Sequence, residues 1–182
     1  MDKNVKAIHA ANALYVEGFG DKGSLSHHPA RNIAIVTCMD CRLDPAKFAG
    51  LAKGDAHVIR NAGGRVTDDA IRSLLISYKM LGTKEWFIIQ HTHCGMMGFT
   101  NEEARELFAS DAHVHGIDPT EAHYIDFMPI SGSLEENLVR DVRRLRTHPL
   151  VPASIVIHGY VYDVHTGRLI VVEEAEKIGA AK

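Results

Sequence analysis

Two periodicities divide the apolar positions of this chain between helices and buried strands. From Lys3 to about Gly18, Val5, Ile8, Ala11, Leu14, Tyr15 and the following Phe19 recur at roughly helical spacing, which predicts an amphipathic helix stopped by Gly18 and Gly20. Its apolar stripe needs a cover, either the chain's own core or a second subunit. After a loop over 21–32, Ile33, Ala34, Ile35 and Val36 form a short, β-branched run suited to a strand buried on both faces. Similar runs return at Ala56 to Asn61 and at Trp86 to His91. Between them, Asp44-Pro45 opens a helix to about Leu51, and Thr67 caps a helix from Asp68 to Leu81, ended by Gly82. Two strand-helix-strand units in succession predict a parallel sheet with right-handed crossovers.

Beyond the third strand, Asn101 to Ala109 reads as helix, followed by a long proline- and histidine-bearing connection over 110–131. Ser133 and Glu136 stand at capping-box positions for a helix to Arg146, with Leu134, Leu138, Val142 and Leu145 on one face. Ile155 to Tyr162 and Leu169 to Val172 read as strands joined by Asp163 to Gly167, a terminal hairpin. The polar stretch 173–182 reads as a fraying tail. The expected architecture is α/β: a mostly parallel central sheet flanked by helices, with a C-terminal antiparallel hairpin strand. It forms one domain over 1–182, with a helical arm over 1–20.

Composition narrows the function classes. The chain has 182 residues, 46% hydrophobic and 24% charged, with net charge −3. That gives one well-cored domain and no electrostatic footprint for nucleic acid or a membrane surface. Its first residues lack a secretory apolar core, and no window approaches the ~20 apolar residues of a spanning helix, so a cytoplasmic protein is expected. Three cysteines, two of them three positions apart, fit metal or redox chemistry better than a disulfide framework.

The chemistry gathers where strands end. In open α/β sheets the ligand crevice lies at the carboxyl ends of strands, where Cys38, Asp40, Cys41 and Arg42 follow the first strand and His91, His93 and Cys94 the third. Cys38, His91 and Cys94 make a sulfur, nitrogen, sulfur set suited to zinc, and three protein ligands leave a fourth position open, as catalytic sites do. Asp40 beside such a zinc can accept a proton from bound water or orient it, and Arg42 can hold Asp40 ionised and off the metal. Three other readings stand beside this one. Cys38, Cys41, Cys94 and a histidine can close a structural zinc site. Cys38 and Cys41 can form a redox pair, or Cys38 and His91 can be ordinary core residues.

At these residues the chain resembles the β-class carbonic anhydrases. Cys38-Met39-Asp40-Cys41-Arg42 looks like their Cys-x-Asp-x-Arg motif, and Arg60-Asn61-Ala62-Gly63 matches their Arg-Asn-Ala-Gly turn. His91-Thr92-His93-Cys94-Gly95 looks like their His-x-x-Cys-Gly. The resemblance implies a zinc lyase or hydrolase with Zn2+ ligands at Cys38, His91 and Cys94 and a water-activating dyad at Asp40 and Arg42. It also implies a homodimer or higher homo-oligomer in which the N-terminal helix embraces a partner. Cys41 and Met96 depart from the family pattern and alter the pocket wall. The Cys-Met-Asp-x-Arg-Leu-Asp opening and Cys-Gly-Met ending resemble the subgroup that includes carbonyl sulfide hydrolases, and carbon disulfide hydrolases share the same zinc centre. The expected reaction is therefore attack on a small linear heterocumulene: carbon dioxide first, with carbonyl sulfide or carbon disulfide as alternatives. Selectivity would rest on the wall around Met96, Met97 and Phe99. A non-catalytic zinc-stabilised protein is the reading from another class.

Overall fold

Strand Ile33–Cys38 (β1) is buried at all six positions, because it has a neighbour on both edges and apolar layers on both faces. The computed structural model describes residues 2–116 and 118–182. In it, β1 lies between Ala56–Asn61 (β2) and Glu85–His91 (β3), both parallel to it. Val156–Tyr162 (β4) pairs parallel with β3, and Leu169–Val171 (β5) pairs antiparallel with β4, giving the sheet order β2-β1-β3-β4-β5. This is the expected mostly parallel sheet with a C-terminal antiparallel strand. Because β3 crosses over to the free edge of β1, Thr37 lies opposite Ile89 and the mouths of both strands share one end of the sheet.

One sheet face carries the main core. Val36, Trp86, Ile88 and Ile157 meet Leu74 of helix Asp68–Lys79 (α3) and Leu138, Val142 and Leu145 of helix Leu134–Arg146 (α5), all fully buried. Both helices start as the sequence predicts: Thr67 accepts from the Ala70 N–H, and Ser133 and Glu136 complete a capping box. The opposite face holds an apolar groove of about 290 Å³ lined by residues including Ile35, Phe48, Phe87, Ile89 and Tyr160.

Helix Lys3–Glu17 (α1) forms where the periodicity puts it, but Ile8, Leu14 and Val16 remain 69%, 68% and 61% exposed, so the chain's own core does not cover it. Two helices differ in length from their sequence reading. Pro45–Phe48 (α2) stops before Leu51, whereas Asn101–His115 (α4) runs past Ala109 into the connection, which also contains a 3-10 turn at Pro119–Tyr124.

The tail over 173–182 does not read out as a frayed end. Residues Glu173–Gly179 form a helix (α6) on which Ala175 is fully buried. Val172, Ala175 and Ile178 recur every third residue, a narrow apolar edge hidden among glutamates and lysines. Glu176 secures the helix by accepting from the Gly159 N–H at 2.9 Å and meeting His158 Nδ1 at 2.8 Å. Its approach is close: a Cβ on Gly159 would stand 2.5 Å from that of Ala175.

Candidate metal centre

Side chains from the two strand mouths converge in a buried pocket. Cys38 ends β1 and His91 ends β3, and the chain then turns through His93, at φ 54°, to deliver Cys94. Thr92 pins this turn: its N–H donates to the Tyr162 carbonyl at 3.0 Å and its hydroxyl accepts from the Val164 N–H at 3.1 Å. The ligand atoms of Cys38, His91 and Cys94 all lie within 4.8 Å of one another, and all three residues are buried.

The geometry suits a tetrahedral metal. The two sulfurs are 3.9 Å apart, against ~2.05 Å for a disulfide and ~3.8 Å for the edge of a tetrahedron with metal–sulfur bonds of ~2.3 Å. His91 Nδ1 faces the Thr92 carbonyl at 2.9 Å and must donate to it, which leaves the Nε2 lone pair free. That Nε2 is buried without a hydrogen-bond partner among the described residues. An orphaned buried acceptor of this kind costs about 1–3 kcal/mol, a penalty that a metal ligated there removes. Two thiols and an imidazole are a donor set for zinc. The hydrogen bond between the sulfurs pushes the Cys38 thiol down and the Cys94 thiol up.

Asp40 sits over this set, with Oδ2 3.8 Å from His91 Nε2. Arg42 grips both carboxylate oxygens: Nε donates to Oδ1 at 2.9 Å, Nη2 to Oδ2 at 2.7 Å, and the backbone N–H to Oδ1 at 2.9 Å. The Arg42 side chain, then its backbone N–H, hold the Asp40 carboxyl well below the usual carboxylate range. A further Nη2 bond to the His93 carbonyl at 3.0 Å ties the dyad to the second mouth.

Arg60, read in the sequence only as part of a turn motif, clamps the first mouth. Its Nε donates to the Cys38 carbonyl at 2.9 Å and its Nη2 to the Asp40 carbonyl at 2.7 Å. Its place in that motif was the available signal, but the partners are backbone carbonyls at and just beyond the end of β1 and leave no mark on residue type. The following turn presses on the site as well. Gly64 has φ +62°, and a Cβ there would lie 2.9 Å from Cys38 N and Thr37 C and 3.0 Å from the Ile89 carbonyl. Gly64→Ala should therefore destabilise the metal-free protein by about 2–4 kcal/mol, positive-φ strain adding to overpacking. Denaturant unfolding measures this, and a loss below about 0.5 kcal/mol would show that the turn has room.

Cys41 and His93 do not join the group. Cys41 is exposed, and His93 is exposed with its ring edge-on to His165 at 4.7 Å. The closed four-ligand reading thus finds no fourth ligand in Cys41 or His93, and all three cysteines are free thiols. Cys41→Ser should leave stoichiometric zinc binding intact, as counted by metal analysis; a lower zinc content would return Cys41 to the ligand set. Of the three residues expected on the selectivity wall, Met97 lines a cavity of about 720 Å³ with Cys94, Leu134, Val161 and Ile170. Met96 packs on Gly63 and accepts from the Ile130 N–H. Phe99 is displaced from that wall and lines a separate apolar hollow with Phe108 and Phe127.

Comparison with known proteins agrees with this geometry. The family model for carbonic anhydrase matches residues 33–169. The chain is 42% identical over 162 residues to β-carbonic anhydrase 1 of Mycobacterium tuberculosis, covering 88% of this chain and 92% of that one. It is 40% identical over 159 residues to a carbon disulfide hydrolase of an Acidianus species, covering 76% of each. The solved carbonic anhydrase from Glaciozyma antarctica superposes with a TM-score of 0.85 at 43% identity, covering 94% of this chain and 99% of that one.

Proposed function

Because the chain belongs to the β-carbonic anhydrase family, we propose that it hydrates carbon dioxide to bicarbonate at a zinc ion held by Cys38, His91 and Cys94, with Asp40 and Arg42 managing the attacking water. The observation that carries this reading is the buried His91 Nε2, without a hydrogen-bond partner among the described residues, grouped with two cysteine sulfurs and with an anionic carboxylate 3.8 Å away. Zinc supplies a Lewis acid that renders water nucleophilic near neutral pH.

The rest of the chemistry belongs to the protein. The hydrogen bond from His91 Nδ1 to the Thr92 carbonyl fixes the ring tautomer and its aim. Asp40, kept ionised by Arg42, accepts a hydrogen bond from water and so sets the direction of its lone pair toward the substrate carbon. The same grip would keep Asp40 outside the Cys38, His91 and Cys94 group, so that it would act on water rather than as a ligand. Met97, Leu134 and Val161 give an apolar wall beside Cys94, which suits an uncharged linear molecule and sheds a charged product.

Carbonyl sulfide and carbon disulfide fit the same attack, and the Acidianus relative named carbon disulfide hydrolase keeps them as the second reading. The deciding experiment is a side-by-side assay of the zinc-loaded protein on all three molecules. We expect carbon dioxide hydration to be fastest; faster hydrogen sulfide release from either sulfur compound would reassign the substrate. Full zinc loading with no turnover on any of them would leave a zinc-stabilised binding protein.

The uncovered apolar stripe of α1 and the apolar groove on the free sheet face support a homodimer in which each copy's arm is covered by its partner. Sedimentation of the chain with and without residues 1–20 measures this, the shortened chain being expected to dissociate. Among the described residues no helix is long and apolar enough to cross a membrane.

A further inference from the structure

Asp141 is a carboxylate 2% exposed, placed mid-helix on α5 with no part in the candidate chemistry. It accepts four hydrogen bonds. Arg65 Nε reaches Oδ2 at 2.8 Å and Arg65 Nη2 reaches Oδ1 at 3.2 Å. The Val66 N–H reaches Oδ2 at 3.2 Å and Gln90 Nε2 reaches it at 2.9 Å. A buried charge pair is a poor device for stability alone, since two apolar side chains of similar volume usually serve as well. What distinguishes this one is where its partners lie.

Arg65 closes the turn that packs on Cys38. Its backbone N–H donates to Asn61 Oδ1 at 2.8 Å and its carbonyl accepts from Asn61 Nδ2 at 2.7 Å, so Arg65 and Asn61 bracket Gly63 and Gly64. Gly64 in turn lies against the backbone of Thr37 and Cys38 and the carbonyl of Ile89. Arg65 Nη1 also binds the carbonyls of Met128 and Pro129, at 2.6 and 3.0 Å, so the guanidinium has no slack. Gln90 immediately precedes His91 on β3. Its Oε1 is buried without a partner among the described residues, so the orientation of the amide is set by Asp141 through Nε2.

We propose that Asp141 is a positioning residue of the metal centre: by holding Arg65 and Gln90 at once, it fixes the turn that packs on Cys38 and the strand end that carries His91. The inference rests on the proposed zinc site. It places the control of ligand spacing on a helix whose carboxylate touches none of the three ligands.

Two variants test it, each compared with the wild-type chain for zinc affinity by chelator competition and for the absorption of the cobalt(II)-substituted protein. Asp141→Asn puts amide protons against donors, and its zinc affinity should fall by about 10–100-fold, the range seen when outer partners of metal ligands are changed. The thiolate-to-cobalt bands should shift in the same protein. Gln90→Met removes one arm and leaves the buried Asp141–Arg65 pair intact. It should fold as the wild type does by circular dichroism and lose about tenfold in affinity. Wild-type affinity and an unshifted cobalt spectrum in either folded variant would overturn the proposal, and should Asp141→Asn not fold, Gln90→Met decides. A wild-type chain that takes up no zinc would instead sink the metal-site reading itself, which separates the two failures.

Discussion

Cys38→Ser protein should emerge from zinc-replete preparation without stoichiometric metal and without carbon dioxide hydration above the buffer rate. A serine hydroxyl is of similar size, so β1, paired on both edges, should keep its place and near-ultraviolet circular dichroism should be retained. The hydroxyl cannot give up its proton near neutral pH as the thiol does, so the site loses a soft anionic ligand and keeps a poor neutral one. Changes to the outer partners of metal ligands alone cost about 10–100-fold in affinity; losing one of three ligands should exceed that. Atomic emission for zinc and stopped-flow hydration measure the two losses. A Cys38→Ser protein with a full equivalent of zinc and wild-type turnover would refute the ligand assignment.

Asp40→Asn separates binding from chemistry. Asp40 stands outside the ligand set, so zinc content should stay at one equivalent, while kcat falls by roughly 10²–10⁴-fold, the contribution typical of a positioned proton acceptor. The amide is isosteric and still offers one oxygen to Arg42, which also retains its bond to the His93 carbonyl. What it lacks is the negative charge that accepts a proton or a strong hydrogen bond from water. Loss of zinc in this variant would mean that Asp40 helps hold the metal; retained turnover would mean that the dyad is only a salt bridge beside a turn.

The legibility of this site follows from how local its signals are. Cys38-Met39-Asp40-Cys41-Arg42 is one turn of chain, and its Asp–Arg pair, two residues apart, is nearly forced to meet. His91, at the end of β3, and Cys94 are three residues apart, so their closeness is also local. Cys41 shows the opposite case: its spacing allowed a ligand, a redox partner or a wall residue, and its outward direction came from the backbone path after β1. Arg60 and Arg65 act on backbone carbonyls and on a carboxylate 76 residues away, contacts that sequence spacing does not encode.

By itself the sequence determined the strands, the helix caps and the two chemically rich strand ends, because β-branched runs, capping boxes and glycine stops act through neighbouring residues. Only the tertiary structure decided that β3 lies beside β1, which brings Cys38 to 3.9 Å from Cys94 across 56 positions of sequence. It also decided that 173–179 docks as α6, since three small or medium apolar residues bury little by themselves and depend on the groove that α5 and β4 provide. The same holds for the buried hub at Asp141. Burying a charge is unfavourable until partners from distant segments arrive together, so it exists only in the assembled fold.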